Sequence, residues 1–293
     1  MRIHRPPISV TTSVLMAAAL LAGTSVQALA RITEPPECTV FGTEGPDTLT
    51  GTDAVESICG LGGDDTITAG PGDWVLGGDG DDTLIAAGPG AHLYGDNGDD
   101  GLHGSNARDY LTGGNGDDRL FGNGGNDFLH GGEGNNVLRG GAGADNINAE
   151  DGTNLARGGR GNDYIHASSN PVGQRLYGDY GDDRLIGGNG DDVLVGGPGR
   201  DRIIGYKGSD ELIGGAGADS LSGNGGDDLL RGGKGDDRLG GGPDRDTIYG
   251  GAGRDEMRAA DGARDRLFGG GGIDTGTWDT GKDRVRSVEK RIK

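Results

Sequence analysis

Twenty aspartates recur in this chain at intervals of about nine residues, from Asp47 to Asp274. Each closes a glycine-rich turn and precedes a triplet with an apolar centre, as in Gly187-Gly188-Asn189-Gly190-Asp191-Asp192-Val193-Leu194-Val195. Carboxylates in such numbers at one register position are hard oxygen donors, and glycine-rich turns aim backbone carbonyls into the same space. That donor set suits a hard cation bound by oxygen; Ca²⁺ takes such ligands at about 2.3–2.6 Å.

The elements that position these aspartates follow from the repeat itself. Written generally, the unit is G-G-x-G-x-D-x-U-x with U apolar, and about 26 units follow one another from Gly42 to Thr277. A repeat at fixed period decides architecture before any local propensity does. Glycine supplies the sharp reversals. The x-U-x triplet is too short for a helix and suits a short strand whose middle residue faces one side. That position holds Leu185, Leu194, Ile203, Leu212, Leu221, Leu230, Leu239 and Ile248 in successive units. One such strand cannot bury its side chain alone, but stacked coils share a narrow core. Two units make one coil of 18 residues. The expected fold is all-β: a parallel β-roll, or β-solenoid, of about 13 coils of two nonapeptide units each.

Stacking at this period sorts the aspartates into two edge columns. One reads Asp47, Asp65, Asp82, Asp100, Asp118, Asn136, Asn154, a coil without a candidate, then Asp192, Asp210, Asp228, Asp246 and Asp265. The other reads Glu56, Trp74 and Ala91, then Asp109, Asp127, Asp145, Asp163, Asp183, Asp201, Asp219, Asp237, Asp255 and Asp274. Neighbours in a column stand about 4.7–4.9 Å apart and would repel one another if left bare. One ion between each vertically adjacent pair gives four and four sites on the first edge and nine on the second, roughly 17 Ca²⁺ in all.

The nonapeptide resembles that of the RTX family, the hemolysin-type calcium-binding repeats that wind into a parallel β-roll. The resemblance covers about residues 42–277. It implies that the turn and its aspartate bind Ca²⁺ between coils, and it extends only to units that keep the aspartate.

The flanks differ from the repeat. Residues 1–30 read as a secretory signal peptide: Arg2 and Arg5, an apolar run Val14–Ala22, and Ala28-Leu29-Ala30 as the cleavage site. The apolar run is too short to span a bilayer, which needs about 20 residues. The chain is therefore expected to be secreted and extracellular, with no membrane span. Residues 31–41 read as a lead-in and N-terminal cap, and 278–293 as a C-terminal cap with Val285, Val288 and Ile292 over the last coil. Cys38 and Cys59, the only cysteines, are expected to pair in an exported chain, contributing roughly 3 kcal/mol; buried free thiols are the alternative.

The net charge is −20, and without residues 1–30, which carry two Arg and no acids, it is 25 − 47 = −22. Such a balance argues against nucleic acid and anionic membranes as partners. No HExxH zinc-protease motif and no GxSxG lipase motif occurs. His103, His130 and His166 end their units and read as solvated strand-end residues. Trp74, Trp278 and the tyrosines could stack on a sugar ring or fill sheet edges. The residues thus point to a calcium-binding structural, adhesive or matrix protein without catalysis. The alternative is a module that binds polysaccharide or cell-surface components, and behind it an enzyme acting on polysaccharide.

Overall fold

The computed structural model describes residues 35–167 and 171–292, and the signal-peptide reading of residues 1–30 lies outside them. All strands lie in the unit Thr39–Lys293. There are 29 of them, and no helix, among the described residues. They alternate between two sheets. Strands β1 (Val40–Phe41), β3 (Ser57–Gly62), β5 (Trp74–Asp79) and so on to β29 (Lys290–Arg291) form a 15-stranded sheet. Strands β2 (Thr48–Thr50), β4 (Thr66–Ala69) and so on to β28 (Arg284–Arg286) form a 14-stranded one. Every pairing is parallel and links residues one coil apart, as in Leu111↔Leu129 and Leu120↔Leu138.

The result is a parallel β-solenoid of about 14 turns rather than the 13 expected. The difference comes from the ends. The lead-in strand Val40–Phe41 already pairs with Ser57–Gly62. At the other end Arg284–Arg286 pairs with Arg266–Gly271, so the C-terminal segment continues the ladder instead of only covering it. Val285 and Val288 do pack against the core.

Units of irregular length keep their register because turns absorb the difference. The offset is 17 residues at Ile58↔Val75, 20 at Ile165↔Leu185 and 19 at Met257↔Gly276, and in each case the residue at the U position stays inward. A one-residue slip within a strand would turn that residue to solvent. The core is consequently two facing rows of Leu, Ile and Val, nearly all with no exposed surface. Tight stacking also explains the glycines. Gly116 has φ 135°, and a Cβ there would strike the carbonyl oxygen of Gly98 one coil back.

Both cysteines are disulfide-bonded, and none is free.

Candidate metal centre

Each aspartate in the columns uses its two carboxylate oxygens differently. Oδ1 accepts a hydrogen bond from the backbone N–H of the equivalent residue one coil earlier. The Asp100 N–H donates to Asp118 Oδ1 at 2.9 Å, and the Asp127 N–H donates to Asp145 Oδ1 at 2.8 Å. This ladder runs along both edges. It closes the N–H just before most strands, which the sheet would otherwise leave buried and unpaired.

Oδ2 is the chemically open atom. In seventeen of these aspartates it is buried without a hydrogen-bond partner among the described residues: Asp65, Asp82, Asp100, Asp118, Asp127, Asp145, Asp163, Asp183, Asp201, Asp210, Asp219, Asp228, Asp237, Asp246, Asp255, Asp265 and Asp274. Native folds leave few such atoms, and an unpaired buried acceptor costs about 1–3 kcal/mol. The surroundings recur from coil to coil. A Cβ added at Gly95 would collide with Asp100 Oδ2 and with the carbonyl oxygen of Gly113 from the next coil. The same pairing of carboxylate and next-coil carbonyl surrounds Gly60, Gly77, Gly122, Gly205 and Gly232. The absent side chain at the first glycine thus leaves a small space on which two hard oxygens converge.

Burial is the largest influence on these carboxyls and pushes their pKa values up. The backbone N–H bond offsets part of that, and for most of them the charges of other acids add to it. Asp100 and Asp246 are raised to about 8. Asp127, Asp163, Asp201, Asp210 and Asp237 reach about 7. Asp82, Asp118, Asp183, Asp192, Asp228, Asp255 and Asp265 reach about 6. Asp65, Asp145, Asp219 and Asp274 are also raised. A cation among these oxygens would favour their ionised forms.

The structure refines the expected ligand set at several positions. The column residue before Trp74 is Asp73, not Trp74: the Glu56 N–H donates to Asp73 Oδ1 at 2.8 Å. The shortened turn misplaces a count made from the glycines; counting back from the triplet Trp74-Val75-Leu76 finds it. The coil without a candidate is filled by Gln174, whose Oε1 accepts the Asn154 N–H at 2.9 Å. The columns also reach past Asp265 and Asp274, to Asp283 and Glu289. Ala91 does lack a side-chain acceptor, although its N–H donates to Asp109.

Not every expected ligand has an open oxygen. Asp47 Oδ2 accepts from the Thr43 N–H and hydroxyl, and Asp109 Oδ2 accepts from the Ser105 N–H and hydroxyl. Asp192 Oδ2 accepts from the Gly188 N–H, and Asp73 Oδ2 from the Gly70 N–H. In the neutral coils an amide takes the place of the open oxygen. Asn136 Nδ2 lies beside Gly131 where a carboxylate oxygen lies elsewhere. Asn154 Nδ2 donates to the carbonyls of Glu150 and Asp151 at 3.2 and 3.0 Å, and Gln174 Nε2 donates to those of Gly152 and Val172 at 2.5 and 3.1 Å. These turns close themselves.

A second ladder, unread in the sequence, lies outside the first. Where Asp or Asn stands before a column residue, it can accept the N–H of its counterpart one coil later, as Asp99 does from Asp117 and Asn126 from Ala144. The histidines are not simply solvated. His103 stacks on Phe121 with ring centres 5.0 Å apart, and His130 is held by Asn148 at 3.0 Å. Trp74, His92 and Tyr110 stack face to face at 4.1 and 4.5 Å, with His92 between the other two rings.

No three His, Cys, Asp or Glu side chains converge as a metal-binding group among the described residues. The columns set carboxylates along an axis, one per coil, so a cation here relies on backbone carbonyls for the remainder of its ligands. That mixture of carboxylate and carbonyl oxygen fits Ca²⁺.

The family model for the RTX calcium-binding nonapeptide repeat (four copies) matches residues 39–67, 60–88, 94–129, 130–165, 177–212, 204–239, 231–264 and 240–275. These matches cover most of the chain, and the chain belongs to that family. No curated protein matches it.

Proposed function

We propose that the protein is a secreted structural or adhesive component whose roll folds when Ca²⁺ occupies its turns outside the cell. The observation that carries this reading is the series of seventeen buried Oδ2 atoms without a partner, many of them set against a glycine carbonyl from the next coil. A bound calcium ion would supply the positive charge and oxygen coordination these atoms lack. The chain's own residues then do three things. The Oδ1 atoms fix each carboxylate through the backbone ladder, the glycines keep the space open, and the facing rows of Leu and Ile hold the coils in register. Metal binding energy becomes folding energy in such a system.

Roughly 17 ions is the expected load, one per open oxygen. The leader read in residues 1–30 supports export to a compartment where calcium is plentiful. The same reading assigns the roll no catalytic centre, because its carboxylates are spread along two edges.

Circular dichroism of the chain lacking residues 1–30, first in chelator and then in millimolar Ca²⁺, tests the proposal, together with calorimetric stoichiometry. Strand signal that appears with calcium, at many ions per chain, is expected. A strand-rich spectrum unchanged by chelator, or a load of only a few ions, overturns it.

A further inference from the structure

Charge is strongly segregated between the edges and faces of this roll. The strands of the 14-stranded sheet hold ten Lys or Arg and two acids, a surplus of eight positive charges on a chain whose net charge is −20. Both acids are already held: Asp179 by Arg157 at 3.0 Å, and Glu211 by Arg231. The strands of the 15-stranded sheet hold seven basic and four acidic residues, so the asymmetry is between the two faces as well.

Six of the seven guanidiniums outside those two pairs fall in two groups, the seventh being Arg160. Arg119, Arg139 and Arg175 flank the inward residues Leu120, Leu138 and Leu176, and Arg266, Arg284 and Arg286 do the same near Leu267 and Val285. All six are exposed, and none is in an ion pair among the described residues. Arg266, Arg284 and Arg286 line a concavity of about 290 Å³ together with Phe268. Aromatic rings accompany the arginines: Arg139 lies over Phe121 at 5.6 Å, and Tyr249 stacks with Phe268 at 4.8 Å.

Arginine forks pair with carboxylate or sulfate, and neighbouring rings offer apolar contact. We propose that the outward face of the 14-stranded sheet binds a linear acidic polysaccharide along the roll axis, with its anionic groups on these arginines. The edges select the class of polyanion. The turns leading into this sheet carry exposed Asp64, Asp81, Asp99, Asp117 and Asp191, while Asp227 is paired with Arg245. A broad, densely charged polyanion such as a nucleic acid duplex, with one charge per about 1.7 Å, would overhang this rim and be repelled. The six arginines lie on a stretch of this sheet running from Arg119–Gly124 to Arg284–Arg286, roughly 43 Å at the usual inter-strand spacing, so several weak contacts add along one polymer.

The test uses the full-length mature chain, folded in calcium as judged by circular dichroism, so that loss of the calcium reading is seen separately. Binding to hyaluronate (carboxylated) and to heparin (sulfated) is measured by biolayer interferometry across a salt series. At least one should bind at low salt and weaken as salt rises. The variant Arg119→Gln/Arg139→Gln/Arg175→Gln combined with Arg266→Gln/Arg284→Gln/Arg286→Gln should lose tenfold or more and show a flatter salt dependence. The control Arg184→Gln/Arg202→Gln/Arg238→Gln on the other sheet should lose less than threefold. The corresponding Arg→Lys set on the 14-stranded sheet, which keeps the charge, should retain most of the salt dependence and stands in if the glutamine set does not fold. No binding to either polymer, equal losses from the two faces, or tighter binding to single-stranded DNA or to phosphatidylserine vesicles would overturn the proposal.

Discussion

Replacing a column aspartate by asparagine should have opposite effects with and without calcium, and Asp145 is the position at which to test this. Its Oδ1 accepts the Asp127 N–H at 2.8 Å, a bond an asparagine Oδ1 keeps. Its Oδ2 is buried without a partner and lies against Gly140. Asparagine there substitutes a donor for that acceptor, and the neutral coils show what such a donor does: Asn154 Nδ2 bonds two turn carbonyls at 3.2 and 3.0 Å. Removing a buried unpaired acceptor returns about 1–3 kcal/mol in the metal-free state. In calcium the same change removes a charged ligand from an unbroken column. The variant should therefore melt higher than the parent in chelator and lower than it in calcium, with about 2–4 °C per kcal/mol for a body of this size. The assay is thermal unfolding by circular dichroism in millimolar Ca²⁺, and in chelator with a stabilising osmolyte so that a folded baseline exists. The reverse change, Asn154→Asp, gives up both amide bonds and buries a carboxylate, so it should fall in chelator and gain calcium response. If Asp145→Asn lowers stability equally in both conditions, its second oxygen is a structural acceptor and the argument from open oxygens fails.

Asp127→Asn should reduce the calcium response more than Asp109→Asn, because Asp109 Oδ2 is already bonded by Ser105 while Asp127 Oδ2 is open; isothermal titration of both variants decides. In chelator the strand signal should rise as pH falls from about 8 toward 4. The column carboxyls have folded pKa values raised to about 6–8, so the stability they contribute is complete below their ordinary value of 3.8 and is lost as pH rises through the folded values. A metal-free chain that gains structure on going to alkaline pH would refute this sign. Gly95→Ala should remove at least one ion from the calorimetric stoichiometry and destabilise by about 1–3 kcal/mol in calcium, since its Cβ would collide with Asp100 Oδ2 and the Gly113 carbonyl. An alanine variant with full stoichiometry would show that the space is not part of the site.

Much of this fold is legible in the chain because one unit is written over and over. The U residues from Ile58 to Leu267 specify what faces inward, and the 18-residue coil specifies which aspartates share an edge. That information is local and periodic, so a single sequence carries it. What it does not carry is how turns of irregular length are seated. Asp73 and Gln174 join the columns because the strand register is held by Val75 and Leu176 in the core, and the turn yields instead. The two oxygens of one aspartate also look alike in sequence. Only stacking gives Oδ1 a backbone N–H from the coil before and leaves Oδ2 facing a carbonyl from the coil after. Likewise Asp109 and Asp127 occupy the same position of the repeat, yet a serine at 105 closes one turn and the other stays open. The arginines of the 14-stranded sheet lie tens of residues apart and become one face only when the coils are laid on each other, because alternate units send their outward residues to opposite sides of the roll.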